Sequence, residues 1–81
     1  MSRYRIELVT AKDCQDFVNV TSRCPGAIVL ESSNGFRINA KSLIGAMASM
    51  EWEDLYCVSD RDIYGAIQKW IVNDENCEED Y

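Results

Sequence analysis

Ser42 is the side chain with the clearest chemical potential in this 81-residue chain. It follows Asn39-Ala40-Lys41 and precedes the apolar run Leu43-Ile44-Gly45-Ala46-Met47, a spacing that predicts a serine N-cap on a short helix. A phosphate placed on such a hydroxyl would gain from unpaired backbone amides and from the helix dipole. The alternative is that Ser42 only caps the helix. The two roles are compatible, because the capping hydroxyl is the group that a kinase would modify.

The other reactive residue types point away from catalysis. The chain has no histidine, and its four cysteines contain no Cys-x-x-Cys pair, which fits a zinc site poorly. Cys14 and Cys57 stand where small apolar residues would pack, so we expect them to be buried, reduced thiols. No nucleophile–base pair and no phosphate-cradling loop is evident. We therefore predict a protein that is not an enzyme, with no metal and no cofactor.

Charge is distributed unevenly along the chain. Five of the acidic residues behind the net charge of −6 lie between Asp74 and Asp80, so residues 1–73 carry only −1. We predict one domain over residues 1–73 and an acidic, frayed tail over residues 74–81. The acidic tail disfavours direct binding of a nucleic acid, whose phosphates are also negative. Without an apolar run of membrane-spanning length or a signal-peptide core, we expect a cytoplasmic protein, with a monomer favoured and no membrane contact.

Hydrophobic periodicity defines the first half of the predicted fold. Tyr4, Ile6 and Leu8 alternate with polar residues and predict a strand. Thr10 can cap a following helix, whose apolar face repeats at i, i+3, i+4 and i+7 from Cys14. Residues 27–32 then read as a second strand, and Asn34-Gly35 is a strong hairpin signal.

The second half continues the alternation of strands and helices. Phe36, Ile38 and Ala40 form the returning strand, and the helix after Ser42 follows. Residues 55–59 predict a fourth strand, and Asp60 is expected to cap a last helix. Its apolar stripe is the strongest helical signal in the chain: Ile63, Ala66, Ile67, Trp70 and Ile71. The order βαββαβα predicts an α+β open-faced sandwich, a four-stranded antiparallel sheet covered on one face by three helices.

The element order and the stretch from Thr21 to Met50 resemble HPr, the histidine-containing phosphocarrier of the bacterial sugar phosphotransferase system. The resemblance is best over the Asn34-Gly35 hairpin and the run from Asn39 to Met47. It implies the HPr-like fold and places the family's regulatory serine at Ser42. In one branch of that family a dedicated kinase phosphorylates this serine, and the product is a corepressor for a transcription regulator.

Where the family carries its phosphorylated histidine, this chain has Thr10. Ala11 matches the alanine that follows in the family, Lys12 replaces an arginine, and Asp13 replaces a proline. A threonine cannot form the phosphoramidate of the relay, so the resemblance does not imply histidine phosphotransfer here. The family's apolar docking patch carries over to Leu43, Ile44 and Met47, although some of these side chains could instead pack in the core.

Three functions follow as hypotheses. The first is a non-catalytic, HPr-like regulatory module that binds proteins through Lys12, Ser42, Leu43, Ile44 and Met47 and is switched by phosphorylation of Ser42. Its partners would be an HPr-kinase-like enzyme or a transcription regulator of carbon catabolite control. The second is a component of the sugar phosphotransferase system with another phosphate acceptor. The third is a diverged scaffold domain with different partners.

Overall fold

The computed structural model describes residues 1–72 of the chain. Its elements are β1 (Ser2–Arg5), α1 (Ala11–Thr21), β2 (Ile28–Glu31), β3 (Arg37–Asn39), α2 (Leu43–Ser49), β4 (Tyr56–Ser59) and α3 (Tyr64–Ile67), followed by a 3₁₀ turn at Gln68–Trp70. The four strands form one antiparallel sheet in the order β1-β4-β2-β3. The predicted α+β fold is therefore confirmed. The predicted acidic tail over residues 74–81 lies outside the described residues.

One face of the sheet and the helices enclose the core. Leu30 and Cys57 are neighbours on β2 and β4, and their side chains pack with Phe17 of α1, Ala46 of α2 and Ile67 of α3. All five are fully buried. Because side chains alternate along a strand, the remaining residues of the sheet point to the opposite face, which the helices leave open.

Local sequence signals explain how α1 begins. The Thr10 hydroxyl accepts from the backbone N–H of Asp13 at 3.1 Å, and the Asp13 carboxylate accepts from the N–H of Thr10 at 3.3 Å. This reciprocal pair is a capping box, which satisfies amides that the first helical turn leaves unpaired. The predicted cap at Thr10 is confirmed, and Cys14, Phe17 and Thr21 form the buried face of the helix.

The hairpin between β2 and β3 forms as predicted, but its turn has a different geometry from a two-residue Asn-Gly turn. The loop spans residues 33–35: Gly35 donates to the carbonyl of Ser32, and Ser32 donates to that of Phe36. Only Gly35 has a positive φ there, at +97°. This pattern is typical of three-residue hairpin loops that end in a left-handed glycine.

The last helical region is shorter than its apolar stripe indicates. Helix α3 starts at Tyr64 rather than at Asp60, so the predicted cap at Asp60 is wrong. Ala66, a member of the stripe, is exposed. Ile71 leaves the helix and forms an antiparallel bridge with Ile6 beside β1. The end of the predicted helix, at Ile71, therefore pairs with the edge of the sheet beside β1 instead of continuing the helix.

Candidate functional site

Ser42 caps α2 as predicted. Its backbone is extended, and its Oγ accepts from the N–H of Gly45 at 3.1 Å. The N–H of Ser42 donates to the carbonyl of Asn39 at 3.1 Å, which fixes the turn before the helix. The side chain is partly exposed. The hydroxyl therefore has a structural role and also lies at the surface.

Lys41, the residue before Ser42, links the start of α2 to the connection between α1 and β2. Its ammonium group donates to the carbonyl of Cys24 at 2.8 Å and to that of Gly26 at 3.0 Å. These carbonyls belong to the connection between α1 and β2. Sequence reasoning missed this role, because the partners lie 17 and 15 residues earlier in the chain.

Leu43, Ile44 and Met47 form an exposed apolar surface on α2, which we call the α2 patch. Their exposed fractions are 39%, 82% and 44%, whereas Gly45, Ala46 and Ser49 on the other side of the helix are buried. The alternative was that some of these side chains pack in the core, but all three are exposed. Ile44 is the most exposed of the three, and exposed apolar side chains that adjoin one another, rather than single ones, mark interaction surfaces.

The start of α1, where the HPr resemblance would place a phosphohistidine, has a carboxylate of this chain beside it. The N–H groups of Val9 and Thr10 both donate to Asp13, at 3.0 Å and 3.3 Å. The bond from Val9, followed by that from Thr10, holds the pKa of Asp13 below its usual range. Glu7 lines the same cleft, together with Lys69 and Trp70. An incoming phosphate would meet two carboxylates, those of Glu7 and Asp13, and one ammonium group, that of Lys69.

Lys12 lies on the exposed side of α1. Its ammonium group is 3.2 Å from the carboxylate of Asp16 one helical turn further on. Within residues 1–72, no hydrogen bond or ion pair links Lys12 to Ser42 or to the α2 patch. The structure therefore brings Ser42, Leu43, Ile44 and Met47 together and leaves Lys12 on a separate element.

The thiols that the structure describes are unsuited to nucleophilic chemistry. Cys14 is fully buried, and burial raises the pKa of its thiol. Burial also raises the pKa of Cys57 to about 12. A thiol in this state is not a nucleophile at neutral pH. Cys24 is partly buried and donates to the carbonyl of Val20. No group of three or more potential metal ligands occurs in the described part of the chain.

A second exposed apolar feature lies beyond the end of α2. Phe36 is 60% exposed, and its ring stacks on that of Trp52 with centroids 6.1 Å apart and an interplanar angle of 25°. The alternation of β3 identified Phe36 only as a strand residue. The sequence carried no signal for the pair, because the two residues come from different connections.

Comparison of the chain with models of protein families, with curated proteins and with solved structures finds no match. Over residues 1–72, none of the helices has the length and apolar character that a membrane span requires.

Proposed function

We propose that this chain is a non-catalytic, HPr-like protein-binding module that docks a partner through the α2 patch. The exposure of Ile44, at 82%, is the observation that carries the proposal. Complete burial of an isoleucine-sized side chain contributes roughly 1.5–3 kcal/mol. With Leu43 and Met47 beside it, the patch can supply the apolar centre of a small interface, and methionine adapts well to different partner surfaces.

Phosphorylation of Ser42 would switch this docking. The modified oxygen is the one that now accepts from Gly45, and the phosphate would add close to two negative charges next to Leu43. An uncharged apolar pocket on a partner would then be disfavoured, whereas an arginine-bearing partner would be favoured. The expected partners are an HPr-kinase-like enzyme and a transcription regulator of the kind that reads the phosphorylated serine.

The phosphocarrier alternative has less support. Thr10 replaces the histidine, and the amides of Val9 and Thr10 already donate to Asp13, which places a carboxylate beside the site. Cys14, the nearest other nucleophile, is fully buried. A component that relays phosphate would need an acceptor at this end of α1, and the described residues offer none that is both nucleophilic and accessible.

Direct titration with two purified probes, an HPr kinase and an HPr-dependent transcription regulator, tests the docking surface. We expect Ile44→Ser to weaken binding to the kinase by about tenfold, since the lost burial corresponds to about 1.4 kcal/mol. Val9→Ser is the matched control, because Val9 is 65% exposed but lies outside α2. Equal binding by wild type and Ile44→Ser would overturn the α2 patch as the docking surface.

Incubation with the HPr kinase and ATP tests the switch separately. We expect one phosphate on the wild type and none on Ser42→Ala, as measured by intact mass. The phosphorylated protein should bind the transcription regulator more tightly than the unmodified protein does. A wild type that stays unlabelled would remove the switch and leave the docking surface to be judged by the titration.

A further inference from the structure

The face of the sheet opposite the helices carries a cluster of arginines. Strand pairing aligns two rows of side chains on this face: Arg3, Val58, Val29 and Asn39 in one row, and Arg5, Tyr56, Glu31 and Arg37 in the next. All three arginines are exposed. We call Arg3, Arg5 and Arg37, together with Glu31 and Tyr56, the arginine face.

The guanidinium groups are held in place by their neighbours. Glu31 lies between two of them: Nε of Arg3 is 3.4 Å from one carboxylate oxygen, and Nε of Arg37 is 3.4 Å from the other. Arg3 also lies over the ring of Tyr56, with Cζ 3.9 Å from the ring centroid. These contacts reduce the side-chain entropy that a ligand would otherwise have to remove on binding.

The donors that remain are numerous. A guanidinium has five N–H donors, and an ion pair through Nε leaves the terminal Nη amines free to bind another group. Within residues 1–72, the Nη atoms of Arg3, Arg5 and Arg37 make no hydrogen bond. Arg5 has its Cζ 6.0 Å from the Tyr56 centroid and pairs with no carboxylate in that part of the chain. The five residues of the face therefore sum to a charge of +2 with open, planar donors, and the carboxylate of Asp54, which interacts with the charge of Arg5, lies nearby.

The positions of the arginines on β1 match the repeat of an extended acidic peptide. Arg3 and Arg5 are two residues apart on β1, which separates their Cα atoms by roughly 7 Å. Acidic residues at alternate positions of an extended peptide have the same separation. Arg37 lies on β3, but its Nε and that of Arg3 are each 3.4 Å from the Glu31 carboxylate, so the two guanidinium groups meet beside Glu31.

A nucleic acid fits the same face less well. Single-stranded binding needs open aromatic faces on which bases stack, and Arg3 already covers the Tyr56 ring. Carboxylates of a short peptide need no stacking surface, and each can accept two parallel N–H bonds from one guanidinium group.

We propose that the arginine face binds an acidic, extended segment of a partner protein, as a second docking surface on the side of the sheet opposite the α2 patch. It does not depend on the function proposed for α2. The domain would then hold two protein partners at once, one on each side.

Fluorescence anisotropy with a fluorescein-labelled octaglutamate peptide and the full chain tests the proposal at low salt. We expect saturable binding that weakens as salt is raised. Arg3→Ala and Arg37→Ala should each weaken it by about threefold, and the double variant by about tenfold. Arg23→Ala is the matched control: it removes the same charge from an exposed arginine outside the face and should change the affinity by less than about 1.5-fold. Equal losses for Arg23→Ala and Arg37→Ala would overturn the proposal.

Three further arms separate the remaining outcomes. Ile44→Ser should leave octaglutamate binding unchanged, so that a failure of the α2 proposal and a failure here are distinguishable. Tighter binding of a labelled eight-nucleotide oligothymidylate than of octaglutamate would overturn the peptide and assign the face to nucleic acid. A full chain with Asp74, Glu75, Glu78, Glu79 and Asp80 changed to their amides is the third arm. Binding seen only in this variant would overturn the partner and assign the face to the chain's own acidic segment.

Discussion

At the scale of single residues, Asp13 determines the hydrogen bonding and the charge at the start of α1. Its carboxylate accepts from the N–H groups of Val9 and Thr10, the two residues that precede the helix. The bond from Val9 is the main cause of its lowered pKa. A residue that stabilises the fold in this way also occupies two backbone amides that an anion could otherwise use.

Asp13→Asn should change how stability depends on pH. The folded-state pKa is lowered below the ordinary 3.8, so the contribution of the carboxylate is fully present above that value and is lost as pH falls through the folded-state pKa. We expect the variant to be less stable than wild type at pH 7, with a difference that shrinks below about pH 4. Urea unfolding at a series of pH values, followed by circular dichroism, measures this.

Thr10→Ala supplies the control for that comparison. It removes the other half of the capping box but no titrating group, and cap loss of this kind costs about 1 kcal/mol. We expect this cost to persist from pH 7 to pH 3. If the gap between Asp13→Asn and wild type does not change with pH, the charge of Asp13 is not what stabilises the start of α1.

At the scale of elements, α2 lies so close to β3 that its third residue must be glycine. A Cβ on Gly45 would overlap Cγ2 of Ile38 and would come within 3.3 Å of the carbonyl oxygen of Asn39. Overpacking of this kind typically costs about 1–3 kcal/mol and outweighs the gain of about 1 kcal/mol in helix propensity. The contact fixes the α2 patch relative to the sheet.

Gly45→Ala should therefore destabilise the protein by about 1 kcal/mol. Gly65→Ala, the matched substitution in α3, should stabilise it by about 0.5 kcal/mol, since nothing lies within 4 Å of the added Cβ. Urea unfolding of both variants gives the two signs directly. Stabilisation by both substitutions would show that β3 and α2 separate without cost and that the close packing is not a constraint.

The same contrast explains which elements could be predicted from the sequence. The start of α1 and the hairpin depend on residues within four positions of one another, and both were predicted. The end of α3 depends on distant residues. The backbone N–H of Glu7 donates to the carbonyl of Trp70 at 2.9 Å, and the backbone N–H of Val72 donates to the carbonyl of Arg5 at 2.9 Å. Residues at the end of the apolar stripe therefore pair with the edge of β1 although their periodicity is helical. Here tertiary contacts override the local helical preference.

The candidate site divides in the same way. The cap at Ser42 is local and was predicted, and the exposure of Leu43, Ile44 and Met47 matches the patch implied by the HPr resemblance. The bonds of Lys41 to the loop after α1 and the ion pairs of Glu31 with Arg3 and Arg37 join residues that are distant in sequence. No pattern along the chain contains them, because only strand pairing and loop closure bring the partners together.

At the scale of the whole molecule, Trp70 joins the last part of the described chain to the core. Its ring meets that of Phe17 edge to face, with centroids 5.3 Å apart, and it is 7% exposed. Its backbone carbonyl accepts from Glu7. The indole N–H, however, has no hydrogen-bond partner among the described residues. One side chain therefore combines a large favourable packing term with the cost of a buried, unpaired donor.

Two substitutions of Trp70 separate these terms. Trp70→Ala should destabilise the protein by about 3–5 kcal/mol, a large part of the roughly 4–12 kcal/mol expected for a domain of this size. Trp70→Phe retains a ring that packs on Phe17 and removes the unpaired N–H, a donor whose burial costs about 1–3 kcal/mol. We expect its net cost to be below about 1.5 kcal/mol, because these effects offset the lost ring area.

Trp52→Ala, at a partly exposed tryptophan, should cost less than Trp70→Ala. Urea unfolding measures all three. If Trp70→Phe is as damaging as Trp70→Ala, the indole N–H has a partner in solution and the whole indole closes the core.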